Sequence, residues 1–136
     1  MAITFTKMRD AIFGIINKLI NEESENLEQA SDVLADTLAK KGLIYVFGTG
    51  HSMALALEMF YRAGGLVPIY PIFDFSLSAM NGALKSTMLE RVSGYARAIL
   101  ASTYIRPNST LIIVSNSGKN AVPVEMTHEA KKLGMK

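Results

Sequence analysis

Two short runs of apolar residues constrain the fold of this chain more than any other feature of its sequence. Residues 43–47 (LIYVF) and 111–114 (LIIV) contain no charged or amide side chain and are rich in β-branched and aromatic residues. Such runs are typical of strands that are buried on both faces of a sheet. Helical patterns follow them at about 52–63 and 121–133. Because strands alternate with helices, the sequence predicts an α/β fold with a parallel sheet between two helical layers.

The segment between these two runs predicts a third strand and a further helix. Residues 66–70 are a strand candidate that Pro68 weakens, and residues 73–86 are predicted to be a loop. Thr87 and Glu90 have the spacing of a capping box, which predicts a helix that starts there and runs to about residue 104. The sheet is therefore expected to hold about three strands.

The first third of the chain predicts a pair of helices, residues 1–41, ahead of a sheet domain at residues 42–136. Apolar residues recur at three- and four-residue steps on both sides of the polar stretch 21–24. Ser24 is a candidate N-cap for the second helix, and Gly42 is a candidate for the left-handed position that closes it. The first helix is apolar over more than one narrow stripe. This width indicates packing against another copy of the chain, in a dimer or tetramer.

Composition argues against several classes of function. The 136 residues include 14 Lys and Arg against 12 Asp and Glu, so the chain lacks the basic field that nucleic acid binding requires. No apolar stretch approaches the roughly 20 residues that cross a bilayer. With no cysteine and two histidines, neither a metal site nor a cofactor is predicted. The lack of disulfides and of a leader pattern predicts a cytoplasmic protein.

Two polar loops follow the two apolar runs and form an anion site in outline. Each loop joins a predicted strand to the start of a helix, where backbone N–H groups and the helix dipole favour negative charge. Glycines allow close approach of a phosphate, and hydroxyl and amide groups can donate hydrogen bonds to it. The candidate binding residues are Gly48, Gly50, Ser52, Ser115, Asn116, Ser117, Gly118, Lys119 and Asn120.

The familiar glycine motifs do not fit these loops. A dinucleotide fingerprint needs a third glycine where this chain has Met53, and Asp74 is a poor match for its ribose-binding acid. The P-loop motif fails because Asn120 stands where a Ser or Thr would bind magnesium. A nucleotide-binding fragment, with contacts near Asp74, is therefore the weakest of the functional hypotheses.

The two loops together resemble the paired signature of the sugar isomerase (SIS) domain. The segments FGTGHSMALALEMFYRAGGLVP, KSTMLERVSGYA and IIVSNSGKNAVPVEM are similar, in order, to bacterial SIS proteins labelled phosphosugar or phosphoheptose isomerases. The resemblance covers essentially the whole chain. It implies a three-layer α/β/α fold, a role in carbohydrate metabolism through phosphosugar binding, and oligomerisation through the N-terminal helices.

The chain departs from this family at its C-terminal end. SIS domains of this kind have five parallel strands in the order 2-1-3-4-5, and this sequence stops at Lys136, where the fourth strand should begin. We therefore expect the N-terminal part of a longer protein. The outer edge of the strand at 111–114 is expected to be covered by another copy, because an unpaired apolar edge promotes association.

Isomerisation of an aldose to a ketose needs a proton acceptor beside the sugar. Glu58 is the candidate base, since it lies two turns after His51 on the helix that leaves the first loop. Its alternative role is a solvated carboxylate paired with Arg62 at i+4. His51 is a candidate for protonating the ring oxygen or for hydrogen bonding to backbone. His128 is predicted to be a surface or interface residue.

These observations predict a phosphosugar-binding SIS protein that is a sugar-phosphate isomerase when full length. The alternative hypothesis is a non-catalytic SIS module that senses a phosphosugar or acts as a scaffold. Fold alone does not separate the two, because one fold hosts many activities. The discriminating feature is whether Glu58 and a histidine lie together within reach of the sugar. If Glu58 points to solvent, the isomerase hypothesis loses its base.

Overall fold

The computed structural model describes residues 4–136, in which five helices accompany a three-stranded sheet. The predicted N-terminal segment, 1–41, thus begins with three residues outside the described part. The chain forms two compact units, one ending at Ala35 and the other beginning at Asp36. In chain order the elements are α1 (Phe5–Ala39), β1 (Ile44–Gly48), α2 (Met53–Met59), β2 (Ile69–Ile72), α3 (Ala83–Leu89), α4 (Tyr95–Ala101), β3 (Thr110–Val114) and α5 (Ala121–Lys132).

The sheet is parallel and has the strand order β2-β1-β3. In its register, Ile44 of β1 lies opposite Ile69 of β2 and Thr110 of β3. All five residues of β1 are buried, as expected for a central strand with helices on both faces. The predicted α/β class with a parallel three-stranded sheet is confirmed.

Side chains of β1 alternate between the two faces of the sheet. Tyr45 and Phe47 are fully buried in a cluster formed with residues of α4 and α5. Ile44 and Val46, also fully buried, point to the opposite face because successive strand residues alternate. That face is covered by α2, which buries Met53 and Ala56. The sheet therefore lies between two helical layers.

The predicted helix pair is a single continuous helix. α1 runs unbroken from Phe5 to Ala39, and the polar stretch 21–24 lies inside it. The Ser24 hydroxyl is not an N-cap, since it donates a hydrogen bond to the carbonyl of Ile20 one turn earlier. The stretch 21–24 does not end the helix, because it contains no Gly or Pro and because glutamate is a good helix former.

The turn after α1 shows why residue 42 is glycine. The predicted left-handed residue was wrong by one position, since Lys41 adopts that conformation with φ of 58°. A Cβ on Gly42 would lie 2.2 Å from the backbone oxygen of Asn108, so no side chain fits there. The hydroxyls of Thr37 and Thr110 lie 2.6 Å apart and join the end of α1 to β3.

The middle of the chain differs most from its prediction. The predicted capping box is wrong, because Thr87 lies inside α3 and Glu90 follows its last residue. A second helix, α4, begins only after Gly94, whose φ of 83° interrupts the helical path. β2 is shifted to Ile69–Ile72 and includes Pro71, which an edge strand tolerates because one of its sides needs no N–H donor.

The outer edge of β3 is paired at its beginning by the last residue of the chain. The Lys136 amide donates to the Ser109 carbonyl at 3.3 Å, and the Leu111 amide donates to the Lys136 carbonyl at 2.9 Å. These two bonds flank Thr110 in the pattern of a parallel ladder. Coverage of the remaining edge by another copy stays a prediction. Within residues 4–136, no helix combines the length and apolar character needed to cross a membrane.

Candidate functional site

The two polar loops lie at the carboxyl ends of neighbouring strands. Residues 48–52, the first loop, follow β1 and lead to α2, whereas residues 115–120, the second loop, follow β3 and lead to α5. Gly48 pairs in register with Val114, so both loops leave the sheet side by side. Because α2 and α5 cover opposite faces, this is the switch point at which open α/β sheets bind ligands.

The first loop is a tight turn that depends on glycine. A Cβ on Gly48 would lie 2.6 Å from the carbonyl oxygen of Ser52, so only glycine allows the chain to fold back so closely. Gly50 has a φ of 54°, and a 3-10 turn spans Gly50–Ser52. The Ser52 amide donates to the Thr49 carbonyl at 3.0 Å. The loop is therefore preorganised before any ligand binds.

Sequence reasoning missed the contact between Thr49 and Glu90. Thr49 is buried, and its hydroxyl donates a hydrogen bond to the Glu90 carboxylate. The Glu90 carbonyl accepts a 3.0 Å hydrogen bond from the Val122 amide in the first turn of α5. The capping-box pattern assigned Glu90 to a helix start. The only signal of a further role was its position in KSTMLERVSGYA, one of the three segments of the family resemblance.

The second loop keeps most of its polar side chains open to solvent. The Gly118 amide donates to the Ser115 hydroxyl at 3.1 Å, and Gly118 has a φ of 61°. Within the described part of the chain, no hydrogen bond engages the side chains of Ser117, Lys119 or Asn120. Asn116, Ser117 and Lys119 are exposed. The loop thus presents hydroxyl, amide and ammonium donors at the start of a 12-residue helix.

His51 lies in the 3-10 turn of the first loop and is exposed. It borders a cavity of about 360 Å³ whose walls are almost entirely apolar. That cavity suits an apolar part of a ligand and offers little to a phosphate group. The lining residues are Gly50, His51, Met53, Ala54, Leu57, Phe73, Phe75, Ser78, Ala79 and Met80.

Glu58 lies on the solvent side of α2. Its side chain is 65% exposed and forms an ion pair with Arg62, the i+4 partner that the sequence offered as the alternative to catalysis. A catalytic role for Glu58 stays a prediction. His128 is exposed on α5. Its neighbour on that helix, Glu125, has a lowered pKa. The larger causes of that lowered pKa are hydrogen bonds from the Ser93 hydroxyl and the Gly94 amide.

A larger cavity, of about 520 Å³, lies between β2 and α4 and away from both loops. Asp74 and Tyr95 line it, and the pKa of the Tyr95 phenol is raised because its hydroxyl hydrogen-bonds to the Asp74 carboxylate. Asp74 also accepts a 2.8 Å bond from the Ser76 amide and so caps a 3-10 turn. Its carboxylate thus accepts hydrogen bonds within the protein, and nucleotide contacts near Asp74 stay a prediction. Among residues 4–136, no three acidic or histidine side chains cluster as metal ligands would.

The fold and the loops define an open α/β domain with a candidate ligand site at the carboxyl edge of its parallel sheet. Comparison with known families gives the particular class: residues 8–136 match the SIS domain, and the chain belongs to that family. The predicted resemblance is confirmed.

Similar proteins include several UPF0309 proteins. One from Geobacillus sp. (strain WCH70) is 43% identical over 116 residues, which are 85% of this chain and 47% of the relative. One from Halalkalibacterium halodurans is 41% identical over 129 residues, or 95% of this chain and 52% of the relative. One from Streptomyces avermitilis is 38% identical over 93% of this chain and 51% of the relative. The chain spans about half the length of the curated relatives it matches.

Proposed function

We propose that this protein binds a sugar phosphate between its two loops and, when full length, interconverts an aldose phosphate and a ketose phosphate. The observation that carries the proposal is the set of unengaged donors in the second loop of an SIS domain. We expect the protein to act in the cytoplasm, where sugar phosphates are made and consumed.

The second loop is the phosphate subsite in this proposal. Ser117 and Asn120 supply neutral donors, Lys119 supplies a positive charge, and α5 adds its dipole. Gly118 in its left-handed conformation lets the backbone approach the phosphate oxygens. All these groups favour an anion, and none of them recognises the rest of a sugar.

The first loop is the sugar subsite. The close backbone approach at Gly48 and the hydrogen bond of the Thr49 hydroxyl to Glu90 fix its backbone. The side chains of His51 and Ser52 are then available to a ligand. Isomerisation then requires a proton acceptor beside the carbonyl carbon and donors for the enediolate oxygens. His51 is a candidate donor to an oxygen of the sugar.

A non-catalytic module that senses a phosphosugar or acts as a scaffold is the second candidate function. The ion pair of Glu58 with Arg62 in solvent favours it, because this pair removes the predicted base from the site. Both functions share the same phosphate subsite. They differ in whether the bound sugar exchanges a carbon-bound proton.

Self-association through α1 belongs to the same proposal. Eight large apolar side chains in the first half of α1 are each at least 43% exposed. At 100° per residue they cover an arc of about 160°, which is wider than the seam of a two-helix coiled coil and suits two helical neighbours. The eight residues are Phe5, Met8, Ile12, Phe13, Ile15, Ile16, Leu19 and Ile20.

Thermal unfolding with ligands tests the phosphate subsite. We expect inorganic phosphate, fructose 6-phosphate and sedoheptulose 7-phosphate to raise the Tm, since each binds the folded state alone. Ser117→Ala should weaken their binding about tenfold through loss of a charge-assisted hydrogen bond. Ser31→Ala, an exposed serine on α1, is the matched control and should leave the shift unchanged. No shift with any of the three ligands would contradict the proposal.

A further inference from the structure

Glu90 contacts both sides of the proposed site. Its carboxylate accepts a hydrogen bond from the buried Thr49 hydroxyl in the first loop. Its backbone carbonyl accepts from the Val122 amide at the start of α5, directly after the second loop. The predicted capping box does not form, so helix capping does not explain the position of this carboxylate.

One carboxylate oxygen of Glu90 is fixed by a hydrogen bond, and the other has no hydrogen-bond partner among the described residues. The Oε1 atom accepts from Thr49, and no other side-chain bond engages Glu90 within residues 4–136. The residue is half-buried, and in that part of the chain no side-chain oxygen is buried without a partner. The Oε2 atom is therefore accessible from outside. A carboxylate fixed on one oxygen and open on the other suits a group that accepts a proton.

Glu58 lacks these properties. Its side chain is 65% exposed, and its Oε1 atom is held by Arg62, which is itself 55% exposed. An exposed ion pair on a helix surface is weakly held, so its geometry is not fixed. Proton transfer depends on a fixed position of the acceptor relative to the carbon that loses the proton.

We infer that Glu90, rather than Glu58, is the proton acceptor of this site, and this inference rests on the proposed function. Glu90 takes a proton from the carbon beside the sugar carbonyl. The C–H electron pair becomes the C=C bond of an enediolate, and the carbonyl oxygen takes up the charge. The proton then returns to the former carbonyl carbon while the neighbouring hydroxyl proton passes to the other oxygen, so no atom or electron is gained or lost.

The charge of Glu90 also divides the site into two parts. A carboxylate beside the first loop repels a phosphate and accepts hydrogen bonds from sugar hydroxyls. The phosphate is therefore directed to the second loop, where Lys119 lies. Inorganic phosphate binding should consequently depend little on Glu90, whereas events at the carbon atoms should depend on it strongly.

Exchange of carbon-bound protons in D₂O tests this assignment. The protein is incubated with fructose 6-phosphate or sedoheptulose 7-phosphate, and loss of the C1 proton signals is followed by NMR. We expect Glu90→Gln to slow the exchange about 100-fold or more, as removal of a general base does. Glu90→Asp should recover part of the rate. Glu28→Gln, an exposed carboxylate on α1, is the control variant with an unchanged rate.

Binding measured on the same variants separates this inference from the proposed function. We expect Glu90→Gln to bind inorganic phosphate and fructose 6-phosphate within about threefold of the unaltered protein, since Gln can still accept from Thr49. Exchange that is retained in Glu90→Gln but lost in Glu58→Gln would overturn the inference. Ligand binding without any exchange in the unaltered protein would overturn the isomerase part of the proposed function, and the inference with it. Failure to bind either sugar phosphate would instead overturn the proposed function.

Discussion

Gly48 and Gly42 show how close backbone approach sets residue identity in this fold. A Cβ at either position would lie within 2.6 Å of a backbone carbonyl oxygen, a distance that real Cβ atoms do not tolerate. The sequence pointed to both glycines, to Gly48 as a ligand contact and to Gly42 as a left-handed residue. Both positions require glycine because a side chain would collide with backbone, at Gly42 with the distant residue Asn108 and at Gly48 with Ser52 in the turn that follows. Such contacts cannot be read from local spacing.

Replacing Gly48 should destabilise the protein. Gly48→Ala forces the first loop away from Ser52, and we expect about 1–3 kcal/mol of lost stability, the usual range for overpacking. Gly14→Ala is the matched control, because a Cβ there meets nothing within 4 Å and the residue lies inside α1. That change should stabilise the helix by roughly 0.5–1 kcal/mol. Urea unfolding measures both, and equal effects of the two substitutions would contradict the steric account.

Glu90 was visible in the sequence but assigned to the wrong role. Its spacing from Thr87 fits a capping box, a purely local pattern. In the structure its carboxylate accepts a hydrogen bond from Thr49, which lies 41 residues away in the sequence. A local pattern cannot indicate a contact between residues so far apart. The position of Ser117 and Asn120 in a loop after β3 was predictable, because glycine and hydroxyl residues directly follow the apolar strand, whereas their binding role stays a prediction.

At the scale of elements, the strands were more predictable than the helices. Residues 44–47 of β1 and 111–114 of β3 are continuous apolar runs, which are typical of strands in a covered parallel sheet. β1 is buried throughout, whereas Leu111–Val114 of β3 are half-buried. The sequence predicts two helices where the structure has α1 alone, because the polar stretch 21–24 resembles a break. Those four residues are nevertheless compatible with an exposed helix. The division between α3 and α4 depends on Gly94, whose left-handed φ has no strong signature in sequence.

The link between α4 and α5 predicts a pH dependence of stability. Glu125 on α5 accepts from the Ser93 hydroxyl at 2.6 Å and from the Gly94 amide at 2.7 Å, just before α4 begins. These bonds lower the pKa of Glu125 in the folded state, with desolvation acting in the opposite direction. A carboxyl with a depressed folded pKa contributes stability above its unfolded pKa, and that contribution is lost as the pH falls through the folded value.

Glu125→Gln should therefore be less stable than the unaltered protein at about pH 7, and the difference should shrink below about pH 4. Urea unfolding at several pH values measures this difference. Glu28→Gln, on the exposed surface of α1, is the control and should show little difference at any pH. A difference for Glu125→Gln that stays constant across the pH range would contradict the assignment.

At the scale of the whole molecule, two surfaces indicate partners. The apolar face of α1 is exposed, and the edge of β3 is paired only at Thr110 within the described residues. Contiguous exposed apolar residues of this extent are typical of interfaces. The sequence predicted both features from apolar content.

Charging the apolar face of α1 should prevent the proposed self-association. Ile12→Glu places a carboxylate at the centre of the arc, whereas Asn17→Glu, the control, adds the same charge outside it. We expect the first variant to be monomeric by light scattering and the second to retain the oligomer. Far-UV circular dichroism should show that both remain folded. A monomer already present in the unaltered protein would contradict self-association through α1.

We propose that one sugar phosphate occupies both loops of this SIS domain. Amide chemical shifts measured during titration with fructose 6-phosphate would show which residues it contacts. We expect the largest changes to fall together at residues 48–52 and 115–120, with inorganic phosphate affecting mainly the second group. Changes confined to the cavity between β2 and α4, or no changes at saturating ligand, would contradict it.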